Sequence, residues 1–345
     1  MAAVTLAIQR LTGAFRRVDR VVLAALGVFA ALAVAAPAQA VESLVFTLGA
    51  LGYIAPFLAF SVVVAASARA SGADQQMARV FGGRPIAMIA AAAAFGALSP
   101  FCSCGVIPII AGLLGAGVPL APVMAFWISS PIMDPEMYIL TGAVFGFPFA
   151  TAKALAALFM GLAAGYATHA LKRTSAFADP LRGEACGGGA CAAPAVEENP
   201  GMVWTFWRWP ARRDKFIAEA RTTGWFLLKW LTLAFVIESL MVAYLPADTV
   251  AGWLGGEHWW TIPASVAAGV PTYLNGYAAI PTVAALVDMG MAPGAALAFM
   301  VAGAVTSIPA AMAVFALVRR GVFFWYLVLG ISGSLMAGFV YQAVV

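Results

Sequence analysis

Charge is what this sequence has least of. Only 10% of its 345 residues are Asp, Glu, Lys or Arg, against about 25% in a soluble domain. With 63% hydrophobic residues and a mean hydropathy of +0.94, an ordinary soluble enzyme is excluded. Histidine is reduced to two residues, His169 and His258, both near the ends of apolar segments, where an interfacial place fits better than ligation. The four cysteines form two pairs, Cys102/Cys104 and Cys186/Cys191. That is too few for a disulfide scaffold, and neither pair has zinc-finger spacing with histidines. There is no phosphate-binding loop of the form GxxxxGK followed by Ser or Thr, so the chain is not an ATPase by itself. No cofactor, catalytic residue or nucleic-acid partner is expected. The net charge of +4 comes mostly from short basic clusters at segment ends, which are topology signals.

What the chain has instead is apolar segments of about 20 residues, each long enough to cross a hydrocarbon core of about 30 Å. Spans are predicted at 21–40, 43–68, 149–171, 225–245 and 322–344. Between them lie two longer apolar regions, 85–147 and 258–318, interrupted by glycine and proline. The run from Val21 to Ala36 follows Arg16, Arg17 and Arg20 and precedes Ala38-Gln39-Ala40. It reads either as an uncleaved first span or as a cleavable signal segment. Residues 172–223 are polar, and the mix of Trp, Phe, Arg and Lys from Trp204 to Arg221 predicts an interfacial helix.

A single gapless offset lays one half of the sequence on the other. Gly82-Gly83 falls on Gly255-Gly256, Gly96 on Gly269, Ile107-Pro108 on Ile280-Pro281 and Gly117 on Gly290. Paired glycines and prolines in register over this length point to an internal duplication. Lys and Arg in short loops set orientation. Arg69, Arg79, Arg84, the central loop and Arg319-Arg320 fall on the cytoplasmic side, whereas the loop with Asp248, Glu257 and His258 has neither Lys nor Arg. The copies are thus expected to be inverted, a repeat type common in secondary transporters. The predicted fold is an all-α polytopic membrane protein with two inverted-topology repeats, re-entrant or broken helices and one extra N-terminal span. The expected divisions are 1–41 (N-terminal span), 42–171 (first repeat), 172–223 (cytoplasmic loop with interfacial helix) and 224–345 (second repeat). The expected location is a bacterial inner membrane, N-terminus cytoplasmic and C-terminus periplasmic, with a homodimer open as an assembly.

Chemistry concentrates at four breaks, which should converge on one cavity because non-helical backbone at membrane depth needs protein or water partners. The first, Ser99 to Pro108, carries Cys102, Ser103 and Cys104. Thiolates are soft ligands that choose soft acceptors, so the pair is a candidate site for a metalloid; alternatively both are small packing residues. The second, Ser129 to Glu136, carries Ser130, Asp134 and Glu136. Intramembrane carboxylates are functional candidates, so Asp134 and Glu136 are candidates for proton coupling, but both also sit where they could cap a second half-helix. The partner breaks carry Asn275 and Tyr277, at the positions of Cys102 and Cys104, and Thr306 and Ser307. Glu238 lies inside a predicted span, far from Lys229 along the helix, and is a further proton-site candidate. The loop pair Cys186 and Cys191 is read either as auxiliary thiols that capture a soft cation or as incidental residues of a linker.

At these residues the sequence resembles a known family. Ser99-Pro-Phe-Cys-Ser-Cys-Gly-Val-Ile-Pro108, followed by Gly112 to Gly117 and Ser130-Pro131, resembles the signature of the predicted permeases that include the ArsP-type organoarsenical efflux permeases. Thr306-Ser-Ile-Pro309 is similar to that family's second-half motif. The resemblance covers about residues 85–345 and implies extrusion of trivalent arsenicals, with Cys102 and Cys104 carrying substrate recognition. It does not reach the loop pair Cys186/Cys191. A carrier of a sulfur-containing anion or metabolite and a membrane thiol oxidoreductase are the competing functions.

Overall fold

A computed structural model describes residues 19–72, 85–99, 103–171, 180–181, 205–244, 260–270 and 276–345. Among these residues the chain is almost wholly helical: α1 (Arg20–Ala35), α2 (Pro37–Ser71), α3 (Pro85–Leu98), α4 (Ser103–Gly115), α5 (Leu120–Ser129), α6 (Pro135–Phe145), α7 (Phe147–Ala170), a short 3-10 turn (Phe206–Arg208), α8 (Pro210–Tyr244), α9 (Thr261–Gly269), α10 (Gly276–Asp288), α11 (Pro293–Thr306), α12 (Ile308–Leu317) and α13 (Arg320–Val344). Four helices are long and apolar enough to cross a membrane, and the bent pair α11–α12 makes a fifth candidate. The protein is an all-α polytopic membrane protein.

Two element bounds differ from expectation, each for a local reason. The boundary between the first two spans falls at Ala36, because Pro37 opens α2. Proline fits the first turn of a helix, where its missing N–H costs nothing, and breaks a helix interior. The predicted interfacial helix at Trp204–Arg221 does not stand apart. From Pro210 it runs without interruption into the following span, giving one 35-residue α8. At 1.5 Å per residue α8 is about 52 Å long, so its basic first turns extend past the hydrocarbon.

The duplication extends to the backbone. Helices beginning at 37, 103, 120, 135 and 147 have counterparts beginning at 210, 276, 293, 308 and 320, all at the offset that aligns the sequence. The matched units are therefore Pro37–Ala170 and Pro210–Val344, with α1 extra. The turn after α4 repeats in atomic detail after α10. Gly117 (φ 86°) and Gly290 (φ 96°) take the left-handed conformation. Val118 N–H donates to Leu113 at 3.0 Å and Met291 N–H to Leu286 at 3.0 Å, the six-to-one bond of a Schellman cap.

Close helix approaches repeat too. A Cβ on Gly96 would lie 2.8 Å from the Phe126 carbonyl oxygen, and one on Gly269 would lie 2.7 Å from that of Phe299. A Cβ on Gly165 would meet the Cβ of Ala125 at 2.9 Å, and one on Gly338 that of Ala298 at 2.7 Å. Small residues let membrane helices pack backbone to backbone. Each unit thus clamps its central helix, α5 between α3 and α7 and α11 between α9 and α13. Every residue of α5 is buried, as are nearly all of α11, as expected for helices that are apolar on all sides.

The units meet about a pseudo-twofold axis. α4 packs on α12 as its counterpart α10 packs on α6, and α5 packs on α13 as α11 packs on α7. Such reciprocal contacts define an isologous interface. The equivalent helices α7 and α13 run antiparallel: Thr168, late in α7, accepts from Trp325 Nε1, early in α13, at 3.0 Å. Phe149, early in α7, stacks edge-on against Tyr341, late in α13. α2 and α8 are antiparallel as well, since Arg69 near the end of α2 pairs with Glu219 near the start of α8 at 3.0 Å. Equivalent spanning helices that run in opposite directions make the repeat an inverted one.

Candidate functional site

The breaks within the first unit do converge. Ser99, closing α3, and Ser130, closing α5, share a hydrogen bond of 2.9 Å between their hydroxyls, and both are buried. Ser99 also donates to the Gly96 carbonyl at 2.9 Å. Asp134 caps α6, accepting from Met137 N–H at 2.7 Å, and Pro135 takes the first helical position. The capping reading of Asp134 is the one the geometry displays. Glu136 is exposed in the first turn of α6, where a helix dipole favours an acid.

In the second unit the same register positions are occupied by other chemistry. Ser307 takes the place that Asp134 has in the first unit, and it separates α11 from α12 at a bend of 41°. Its hydroxyl makes no cap bond and, among the described residues, is buried without a partner. Thr306 bonds back to the Ala302 carbonyl at 2.8 Å. The Tyr326 hydroxyl of α13 donates to the Val305 carbonyl, close to the end of α11. Tyr326 is 1% exposed and its ring stacks on Trp127 of the first unit at 4.9 Å, so it lies on the seam between the copies.

The counterpart of Tyr326 is Lys153 of α7, which the sequence reading missed. It too is only 1% exposed. The offset between the copies was the signal that could have found it.

Glu238 is 6% exposed, and its Oε2 has no hydrogen-bond partner among the described residues. Lys229 is engaged elsewhere, with Asp19, the cap of α1. Cys102, Cys186, Cys191 and Asn275 lie outside the described residues, as do the side chains of Ser103, Cys104 and Tyr277. The helical backbone of α4 nevertheless starts at Ser103 and that of α10 at Gly276, so Cys104 and Tyr277 occupy equivalent places in their helices. Among the described residues no group of three or more His, Cys, Asp or Glu is arranged to hold a metal ion.

Two cavities follow the pseudo-twofold. One, of about 840 Å³, is lined by Ile107, Pro108 and Ala111 of α4, Leu317 of α12 and the stretch Glu219 to Lys229 of α8. The other, of about 530 Å³, is lined by Ile280, Pro281 and Ala284 of α10 with Leu140 and Val144 of α6. Ile107, Pro108, Ala111 and Leu317 correspond to Ile280, Pro281, Ala284 and Val144. Because the units are inverted, the cavities lie toward opposite ends of the bundle. The larger one carries the ion pair of Arg69 and Glu219, with Arg221 and Lys229. At that same end Arg212 donates to the carbonyls of Ala70 and Ser71, and Arg319 N–H to Pro180 at 2.9 Å. Among the described residues that line the smaller cavity, Asp288 is the only charged one.

Among curated proteins, the UPF0718 protein YcgR of Bacillus subtilis (strain 168) is 32% identical over 91 residues, which is 26% of this chain and 31% of that relative. The matched part thus spans less than a third of the relative's length. No solved structure matches. The match to ArsP_1, described as a predicted permease, runs over residues 39–343 and takes in both inverted units with all four breaks. The chain belongs to this family of predicted permeases.

Proposed function

We propose that this permease exports trivalent arsenicals, organic or inorganic, from the bacterial cytoplasm by alternating access. The observation that carries the reading is the pair of unequal cavities lined by equivalent residues at opposite ends of the bundle. In an inverted repeat, exchanging the conformations of the two units exchanges which cavity is larger. The larger cavity faces the end rich in Arg and Lys, which the distribution of basic residues assigns to the cytoplasm. It is therefore the entry for a cytoplasmic substrate, and the bacterial inner membrane is the setting.

Recognition falls to the first break. Ile107 and Pro108, which line the larger cavity, are about one turn along α4 from Cys104. A trivalent arsenical is a thiophile, and soft thiolates are the protein groups that take it. Ser103, Ser130, Asn275, Tyr277, Thr306 and Ser307 surround the path as hydrogen-bonding groups, and Cys186 and Cys191 deliver the substrate from the loop. A proton supplies the driving force, with Asp134, Glu136 and Glu238 as the carboxylates available; Glu238 is the one buried in a span without a partner among the described residues.

The test is export of methylarsenite, phenylarsenite and arsenite from cells, with Cys102→Ser and Cys104→Ser beside wild type. Both variants are expected to fall to the level of cells without the permease. Undiminished export by both would remove the thiols from the site. A wild type that moves none of the three would shift the substrate to a sulfur-containing anion.

A further inference from the structure

A guanidinium cannot shed its proton, so burying an arginine requires acceptors for it. Arg69, near the end of α2, is 8% exposed and finds its acceptors on two other helices. Its Nη1 donates to Glu219 of α8 at 3.0 Å, and its Nη2 to the Ala111 carbonyl of α4 at 3.3 Å. The other Glu219 oxygen accepts from the Thr223 hydroxyl at 3.3 Å, so the carboxylate is held on both sides. Gly112 leaves room for the approach: a Cβ there would lie 3.9 Å from Arg69 Nε, and a longer side chain would take the guanidinium's place. Three helices thus meet on one side chain at the wall of the larger cavity. Two are the long arms α2 and α8, and the third is the helix that carries Cys104.

The opposite end of the bundle has none of these residues at the matched places. The offset puts Val242 where Arg69 would be, Phe46 for Glu219, Ala50 for Thr223 and Ala285 for Gly112. The packing is one-sided in the same way. α4 lies against α2, and α12 against α8. Among the described residues the equivalent packings, α10 on α8 and α6 on α2, are slight or absent. An inverted repeat exchanges such arrangements when it exchanges its open end.

We propose that Arg69 is a positioning residue that fastens α4 to the arms only while the larger cavity is open to the cytoplasm, and so sets the resting state of the permease. In the opposite state α10 lies on α8 and α6 on α2, while α4 and α12 draw away from their arms. The bond from Arg69 to Ala111 then breaks. The pair of Arg69 with Glu219 joins the two arms to each other and survives, so the guanidinium is not left unpaired when α4 leaves. A charged hydrogen bond at one end, with no equal at the other, biases the exchange toward the cytoplasmic opening. Arg69 acts through α4 and not on the substrate. The inference rests on the alternating-access reading but not on the arsenical.

The test reads the state without substrate. Full-length protein in lipid nanodiscs, its four native cysteines changed to serine, carries one reporter at equivalent places: Leu317→Cys in the larger cavity or Val144→Cys in the smaller. The ratio of their reaction rates with a water-soluble maleimide, 317 over 144, reports which cavity is wide. Arg69→Met combined with Glu219→Gln removes the bond to α4 and leaves no unpaired acid. Loss of one charged hydrogen bond is expected to lower the ratio about tenfold, through slower reaction at 317 and faster reaction at 144. Gly112→Leu, which crowds the guanidinium off Ala111 but keeps the ion pair, is expected to lower it too, and it carries the test if the double variant does not fold. An unchanged ratio in these variants would overturn the proposal and leave the transport reading standing. An equal fall in Arg213→Met, an exposed arginine at the same end, would assign the effect to net charge and overturn it as well. A fall at 317 with no rise at 144 would overturn both, since the cavities would then not alternate.

Discussion

The two units agree in backbone and disagree in chemistry. Schellman turns, glycine contacts and helix starts recur at one fixed spacing along the chain. The residue types at matched positions do not: Cys102, Cys104, Asp134 and Lys153 in one unit correspond to Asn275, Tyr277, Ser307 and Tyr326 in the other. Shape is held in common by both halves because the bundle needs both. The chemistry differs between the halves: two thiols, a carboxylate and an ammonium group stand at positions in one where the other has an amide, two phenols and a hydroxyl.

The comparison can be broken most severely by moving chemistry between units. Cys102→Asn combined with Cys104→Tyr gives the first break the residues of the second. Arsenical export is expected to disappear, with the amount of folded protein in the membrane unchanged. Quantitative blots beside the export assay check it.

The shared scaffold predicts the opposite pattern, in which equivalent changes cost the same. Gly165→Ala and Gly338→Ala each push a Cβ against equivalent neighbours, Ile89, Ala125 and Ala121 in the first unit and Ile262, Ala298 and Gly294 in the second, the nearest at 2.4 and 2.7 Å. Overpacking of this kind costs about 1–3 kcal/mol. Both variants are expected to lower the melting temperature of the purified protein by similar amounts, and a large inequality would show that the units are not held alike.

The smallest effect is the sharpest discriminator. Asp134→Ala removes a working cap and is expected to cost about 1 kcal/mol. Ser307→Ala removes a hydroxyl that makes no cap bond and is buried without a partner among the described residues, so it is expected to cost nothing measurable. Melting temperatures of the two variants at neutral pH check the difference.

Most of the architecture was legible because glycine and proline leave marks that survive divergence. Gly96, Gly117, Pro108 and their partners set the offset, and the offset set the inverted pairing. α8 was misdivided because Arg212, Arg213, Lys215 and Arg221 look like a surface segment. Yet no proline separates residues 211 and 244, so nothing ends the helix there. Lys153 was overlooked because, a few residues inside a span, a lysine reads as one that reaches the interface. Its burial depends on α3, α5 and α6 closing around α7, contacts that no local pattern carries. Asp134 was half legible. The sequence Asp134-Pro135 signals a cap, and the fold shows its bond to the Met137 N–H.

The register that joins the units has one large gap of its own. The chain between Ala170 and Pro210 joins the two units, and of it Pro180 and Leu181 touch the second, through the Arg319 N–H and Val318. Because the halves share one polypeptide, their meeting is an intramolecular event at high effective concentration. The shared polypeptide also does something a pair of separate identical chains could not. In a symmetric dimer every residue appears twice, so a lysine on the seam would face its own copy. Joined in one polypeptide, the halves became free to differ, and the seam could carry Lys153 on one side and Tyr326 on the other.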